Sequence, residues 1–140
     1  METFDTESIR RRNNNATFAK HLSIEVTELT RGLAAATMTI TETMQNFLHL
    51  THGGAIFAIA DQACAAAANT YGRPAILTQM SVYYVHSPNA GDRLRAEAAV
   101  VERSRAGGVV EISVYDQDGR NVARCLGSFL FSKRTYEDFF

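Results

Sequence analysis

The chain has 140 residues, a length that favours a single domain over residues 1–140 built around one hydrophobic core. Apolar residues make up 46% of the chain and charged residues 21%, the ordinary balance of a soluble globular protein. The formal net charge of −1 argues against a nucleic-acid partner. No apolar stretch approaches the roughly 20 residues that cross a bilayer, and none follows the N-terminal charges as in a signal peptide. We therefore expect a cytoplasmic protein.

The two cysteines, Cys64 and Cys125, each lie inside an apolar segment. Buried, reduced thiols that pack in the core are a simpler interpretation than a disulfide or a nucleophile. No group of Cys and His residues has the spacing of metal ligands, so no metal site is expected.

In chain order, the first predicted element is a short helix over residues 5–20. The run Asn13-Asn14-Asn15 should weaken it, because Asn side chains compete for local backbone hydrogen bonds. Apolar and polar residues then alternate over 22–26 and over 34–40, and Arg31-Gly32 supplies a turn between these segments. The pattern predicts a hairpin of two strands.

A helix of unusual composition is predicted from Gly53 to about Tyr71. Alanine, the strongest helix former, dominates this run, and Pro74 cannot continue it. The side chains are small or apolar on almost every face, which predicts a helix buried nearly all round. Such a helix in a short chain requires a sheet wrapped around it.

Four more strands are predicted after the helix, with a hairpin turn at 116–119 before the last: 76–85, 94–101, 110–114 and 122–131. The order of elements makes an α+β domain in which an antiparallel sheet of about six strands surrounds the long helix. The aromatic and acidic tail, residues 133–140, is either a packed cap or a docking segment.

Asp61 is the only charged residue between His52 and Arg73, on a helix that is otherwise predicted to be buried. Removing a carboxylate from water is costly unless the group is paired or hydrogen-bonded. Asp61 is therefore either a structural acid at an interface, where an arginine from elsewhere could pair with it, or a general base or nucleophile in a dry cleft.

His52, Gly53 and Gly54 open the same helix. A helix N-terminus offers unpaired N–H groups and a partial positive charge, as the oxyanion formed from an acyl carbonyl requires. On its own, a Gly-Gly pair is often only a turn. Eight residues of helix rise about 12 Å, so Asp61 cannot reach a carbonyl held at Gly53 of its own chain. If both act on one substrate, Asp61 must come from a second chain.

Asn46, followed by His52-Gly53-Gly54 and then Ala60-Asp61, resembles the signature of hotdog-fold thioesterases of the phenylacetic-acid-degradation type. The resemblance extends from about Phe18 to the last strand. It implies a hotdog fold and the hydrolysis of an acyl-CoA or aryl-acyl-CoA thioester to a free acid and CoA. It also implies a homodimer or a dimer of dimers, with no metal or redox cofactor because water is the second reactant.

By that resemblance, the Gly53 amide polarises the thioester carbonyl, Asn46 positions the water or the carbonyl, and Asp61 of the facing subunit attacks or activates water. His52 matches a family histidine that shapes the loop and holds Asn46. Thr78 matches, more loosely, a hydroxyl that hydrogen-bonds the carboxylate or its water. Four further residues are candidates for substrate contact or for the pocket wall: Gly54, Phe57, Tyr83 and Tyr84.

Family loops usually carry a glycine at the position that His49 occupies here, so the chain departs from the family at this residue. His49 is interpreted as a loop or pocket-wall residue, with a second catalytic base as the alternative. Arg10-Arg11-Arg12 form either a solvated surface or contacts to CoA phosphates. Two rival functions stay open: a hydratase or dehydratase on the same fold, and an acyl-CoA-binding module without activity, which would have no use for a buried carboxylate.

Overall fold

The computed structural model describes residues 4–140 of the chain. It contains three α-helices: α1 (Thr6–Asn15), α2 (Thr17–His21) and the long α3 (Gly53–Ala68). Two strands lie between α2 and α3, namely β1 (Glu25–Thr30) and β2 (Leu33–Thr39). Four strands follow α3: β3 (Ala75–Tyr84), β4 (Arg93–Arg103), β5 (Gly107–Tyr115) and β6 (Asn121–Phe131). None of the helices in this part of the chain is long and apolar enough to cross a membrane.

The six strands form one antiparallel sheet in the order β1-β2-β4-β5-β6-β3. The sheet wraps around α3, whose residues Ile59, Ala60, Ala63 and Cys64 have no exposed surface. Helix and sheet are close enough that a Cβ added at Gly127 of β6 would lie 2.9 Å from the Cys64 sulfur. Small side chains on α3 allow this close approach. The predicted architecture of a central helix inside six antiparallel strands is confirmed.

Both cysteines are free and buried, as predicted. Burial and, to a lesser degree, the charge of Asp61 raise the pKa of the Cys64 thiol to about 12. Burial also raises the pKa of the Cys125 thiol to about 11. Both thiols are therefore protonated at neutral pH. A nucleophilic cysteine would instead need to be a thiolate.

The first predicted helix is two helices, because Ala16 adopts an extended conformation between α1 and α2. The asparagine run forms the last turn of α1, and the helix ends directly after it. Its side chains find partners in other elements: Asn13 Oδ1 accepts from the Gln62 side chain of α3 at 2.9 Å. Asn14 accepts from the Val26 N–H at 2.7 Å and donates to the Val26 carbonyl at 3.1 Å. These bonds fasten α1 to both α3 and β1.

The strand predicted from Leu22 begins instead at Glu25. Leu22 caps the C-terminus of α2, and the Ile24 N–H donates to the Ala19 carbonyl at 2.8 Å. Leu22 and the buried Ile24 therefore belong to the connection between helix and sheet, where apolar residues pack without strand geometry.

The long helix ends at Ala68 rather than near Tyr71, because Asn69 caps it. The Asn69 side chain donates to the Ala65 carbonyl at 2.9 Å and accepts from the Ala75 N–H of β3 at 2.9 Å. The buried Tyr136 hydroxyl donates to Asn69 Oδ1 at 2.9 Å. The C-terminal segment around Tyr136 is thus a packed cap over the end of α3, one of the two predicted alternatives.

Candidate active site

The start of α3 is held by a short loop that closes on itself. The His52 N–H donates to the Met44 carbonyl at 2.7 Å, and Gln45 and Thr51 form an isolated antiparallel bridge. The Thr51 hydroxyl donates to the Pro88 carbonyl at 2.6 Å, which ties the loop to the segment after β3. The first turn of α3 is therefore fixed relative to the end of β3.

Within that first turn, one backbone amide is left for a ligand. The His52 side chain caps the helix, because its Nδ1 accepts from the Gly54 N–H at 2.8 Å. In the described residues, 4–140, the Gly53 N–H has no acceptor. Helix amides that lack partners bind anions and carbonyl oxygens, and a glycine allows them to come close. The Gly53 amide is therefore available as an oxyanion donor, whereas the Gly54 amide is occupied.

Asn46 uses one end of its side chain to shape the loop and leaves the other end open. Its Oδ1 accepts from the Leu48 N–H at 2.9 Å and from the Leu50 N–H at 3.2 Å. Among the residues that the structure describes, its Nδ2 has no acceptor, and no hydrogen bond joins it to the His52 ring. The role of His52 in holding Asn46 therefore stays a prediction. The amide of Asn46 can donate to a substrate or to water.

His49 lies in the same loop with a φ of 59°, in the left-handed region that favours glycine. Its N–H donates to the Asn46 carbonyl at 3.0 Å. The conformation explains why a glycine suits this position, and it accounts for His49 as a loop residue.

Asp61 lies two turns further along α3 and is partly buried. In the described part of the chain its carboxyl group has neither a hydrogen bond nor an ion pair, so the predicted arginine partner is not found within one chain. Burial raises the pKa of the Asp61 carboxyl. A partly desolvated carboxyl without a structural partner is typical of functional sites.

One stripe of α3 remains uncovered along its length, formed by Gly54, Phe57, Asp61 and Ala65. These residues recur at intervals of three and four, so they lie on one face of the helix. Next to the stripe, the Gln62 side chain is covered by α1 through its bond to Asn13. In the described structure, the other positions of α3 are buried, apart from Gly53 and Gln62, which are partly exposed. We refer to it below as the open stripe.

Tyr84, at the end of β3, lies directly over the first residue of α3. Its hydroxyl donates to the Gly53 carbonyl at 3.2 Å, and a Cβ added at Gly53 would lie 3.1 Å from the Tyr84 ring. A cavity of about 290 Å³ opens here, lined by Thr51, Gly53, Ile56, Tyr84, Val85, His86 and Ser87. His86 was not predicted as a site residue; its position between two tyrosines and Ser87-Pro88 was the available signal.

Thr78 and Tyr83 lie on the outer face of the sheet, away from α3. The Thr78 and Ser128 hydroxyls are 2.9 Å apart, and Tyr83 is 72% exposed. Strand side chains alternate between faces, so Tyr83 points outward where Tyr84 points towards α3. The structure does not bring Thr78 or Tyr83 to Gly53 or Asp61 of the same chain, and their roles stay predictions.

Because α3 is unbroken from Gly53 to Ala68, the separation expected between Gly53 and Asp61 holds at about 12 Å. The structure therefore groups Asn46, His52, Gly53 and Tyr84 at one end of α3 and places Asp61 apart from them. The carboxyl group and the free amide cannot contact the same carbonyl within one chain.

Comparison with known proteins identifies the family of the chain. The family model of the thioesterase superfamily matches residues 48–123. The chain belongs to the thioesterase superfamily. Over 109 residues it is 35% identical to the acyl-coenzyme A thioesterase PaaI of Escherichia coli, an alignment that covers 78% of each protein.

Solved structures similar to this chain share its fold. The structure of E. coli PaaI, from the phenylacetic acid degradation operon, aligns with a TM-score of 0.84 and 30% identity over 94% of this chain and 99% of that one. The protein TT0310 of Thermus thermophilus aligns with a TM-score of 0.78 and 31% identity, over 81% and 95% of the two chains. The predicted hotdog fold, the predicted family and the predicted enzyme class, a thioester hydrolase, are confirmed.

Proposed function

We propose that the chain hydrolyses acyl-CoA or aryl-acyl-CoA thioesters to a free acid and CoA, in sites shared between two copies. One observation carries this proposal: a free amide at Gly53 and an unpartnered carboxyl at Asp61 lie on one helix, too far apart to act together. The similarity to E. coli PaaI, an acyl-coenzyme A thioesterase, supports the substrate class.

The free donors suit the charge that develops in thioester hydrolysis. When water or the Asp61 carboxylate adds to the carbonyl carbon, the carbonyl oxygen becomes an oxyanion. The Gly53 N–H at the positive end of α3 stabilises that oxygen. The Asn46 amide donates to the same oxygen or holds the attacking water. Collapse of the intermediate breaks the C–S bond, and the thiolate of CoA leaves and takes up a proton. If water attacks, that proton is the one that Asp61 removed from the water, and the acid is released directly. If Asp61 attacks, the collapse leaves an acyl-aspartyl anhydride, and a water molecule then hydrolyses it to the free acid and the regenerated carboxylate.

Asp61 acts from the second copy, either as the nucleophile or as the base that deprotonates water. Its pKa is raised by burial, which makes the ionised carboxylate a stronger base than an exposed one. The ionised form is the active one in both roles. We therefore expect kcat/KM to fall as the pH drops through the raised pKa of Asp61.

A second copy of this chain fits the uncovered surfaces around the site. The open stripe of α3 begins one residue after Gly53, which Tyr84 of β3 contacts. In the described structure β3 is also an edge strand, with β6 as its single strand neighbour. The loop before α3 carries Phe47, Leu48 and Leu50, which are 88%, 59% and 51% exposed. A two-fold contact over this side would cover the stripe, the edge and the loop at once.

Release of free thiol from a panel of acyl-CoA and aryl-acyl-CoA substrates tests the proposed reaction. We expect one thiol released for each acid formed. Binding of acyl-CoA without turnover would instead identify a binding module. Loss of an enoyl-CoA double bond without thiol release would identify a hydratase.

Replacing Gly53 by Ala should lower kcat/KM by up to about a hundredfold, because misplacing the carbonyl by about 1 Å costs that much. The added Cβ lies 3.1 Å from the Tyr84 ring, on the residue whose amide is proposed to receive the carbonyl. Steady-state kinetics and a thermal melt measure activity and folding together.

The Gly53→Ala change in a Tyr84→Ala background separates the two causes. The double variant is compared with Tyr84→Ala alone, so that neither protein has the Tyr84 ring. The loss caused by Gly53→Ala should persist in this comparison if the methyl group obstructs the carbonyl. Full recovery in the double variant would show that displacement of Tyr84, rather than the oxyanion position, explains the loss.

A further inference from the structure

We propose that Phe57 lies on the two-fold axis of the dimer, where it contacts the partner's Phe57, and that this aromatic pair is a wall shared by both acyl pockets. The inference rests on the proposed shared site. It names the residue that would set substrate size, and it fixes the geometry of the dimer at one position.

The symmetry of the shared site leads to Phe57. In a two-fold contact, if one residue meets a second residue across the interface, the second also meets the first. A site that joins Gly53 to the partner's Asp61 therefore has a twin that joins Asp61 to the partner's Gly53. Since α3 is unbroken between these positions, the two helices run antiparallel. Phe57, four residues from each, comes closest to its own copy.

The face of the helix agrees with this position. Four residues turn an α-helix by about 400°, so successive fourth residues are offset by only about 40°. Gly53, Phe57 and Asp61 thus share a face, with Phe57 in its centre. Phe57 is the one aromatic residue of α3 and is 36% exposed, although Ile56 and Ala58 beside it are buried. A large apolar side chain in the middle of the open stripe is explained by a partner at that point.

The same position places Phe57 beside both sites. Four residues of helix rise about 6 Å, so the Phe57 ring lies about one turn from its own Gly53 and one turn from its own Asp61. Each of these residues belongs to a different site of the dimer. An acyl group that extends from the carbonyl towards the axis meets the two Phe57 rings, which limits its length.

A disulfide at the axis tests the geometry without using activity. Phe57→Cys should form an intermolecular disulfide under mild oxidation, because a residue on the axis can bring two Cα atoms within the about 7 Å that a disulfide needs. Ala65→Cys, on the same open stripe, is the matched control. Its two copies would lie about 24 Å apart along antiparallel helices and should not cross-link. The native Cys64 and Cys125 are buried and do not interfere.

Non-reducing electrophoresis and intact mass measure the products. If Phe57→Cys stays uncross-linked in a protein that is dimeric by mass, or if Ala65→Cys cross-links more readily, the axis is elsewhere. Should Phe57→Cys not fold, a photoreactive p-benzoyl-phenylalanine at position 57 keeps the aromatic ring in place. Its cross-link should map to the partner's α3 near residue 57, and a cross-link to any other element overturns the proposal.

The wall is tested separately by substrate length. Phe57→Ala should raise the ratio of kcat/KM for long over short acyl-CoA by about tenfold or more, because it removes the barrier to longer chains. If Phe57→Cys cross-links but the ratio for Phe57→Ala is unchanged, the position of the axis is supported and the role of Phe57 as a pocket wall is ruled out. If no acyl-CoA is hydrolysed at all, the proposed function fails while the cross-link still reports the axis.

Discussion

Asp61→Asn is expected to lower turnover by a factor on the order of 10² to 10⁴ while the protein stays folded. Asn keeps the shape of the side chain and removes the charge and the basic lone pair. Steady-state thiol release measures the loss, and circular dichroism and mass measurements check folding and assembly. Near-normal turnover in a folded Asp61→Asn protein would contradict the proposed role.

Asp118→Asn is the matched control for this change. It makes the same substitution at an exposed carboxylate in the turn between β5 and β6, away from α3. Turnover of this variant should be unchanged. A loss equal to that of Asp61→Asn would point to a general effect of charge instead of to a catalytic carboxylate.

The Asp61→Asn substitution should lower activity without lowering thermal stability. Burial raises the pKa of Asp61 in the folded state, so the folded protein binds this proton more tightly than the unfolded chain does. The stabilising contribution is therefore fully present at low pH and is lost as the pH rises through the folded pKa. Above the folded pKa, Asn replaces a poorly solvated charge, and the Tm of Asp61→Asn should then equal or exceed that of the wild type.

The second large effect is expected from mixing two inactive proteins, Asn46→Asp and Asp61→Ala. Asp at position 46 keeps the oxygen that accepts from the Leu48 and Leu50 N–H groups, so the loop is retained while the amide donor is lost. In a mixed dimer of the proposed kind, one site lacks both groups and the other has both intact.

Unfolding the two proteins together and refolding them at equal amounts pairs the chains at random. About half of the dimers are then mixed, so about a quarter of the wild-type sites should reappear, as two-fold symmetry requires. Each variant refolded alone is the control, and thiol release is the measurement. Persistent inactivity, with mixed dimers confirmed by mass, would rule out the shared site.

The fold could be predicted in outline because its largest signals are local. The alanine-rich run from Gly53 and the alternating strands after it correspond to α3 and to β3–β6. The predictions differ from the structure at positions whose conformation depends on contacts with other elements. Asn14 looks like a helix-weakening residue until its bonds to Val26 are known, and Asn69 ends α3 by a side-chain cap that spacing does not reveal.

The sequence predicted which residues belong to the candidate site better than it predicted where their side chains point. Asp61 stands out because a charge on a buried helix is costly, and Gly53 because glycine opens a helix end. Tyr83 and Tyr84 could not be ranked, since neighbouring strand residues face opposite sides and the sequence alone does not state which side meets α3. His86 lines the cavity beside Gly53, and its position before Ser87-Pro88 was a weak signal that did not single it out.

Asparagine side chains occupy a backbone pairing position on both outer strands of the sheet. At β1, the Asn14 side chain bonds both the N–H and the carbonyl of Val26, as a neighbouring strand would. At β3, the Asn69 side chain does the same for Ala75, the first residue of the strand. Exposed strand edges are templates on which further chains add. At one residue of each outer strand, the backbone groups are therefore unavailable for pairing with another chain.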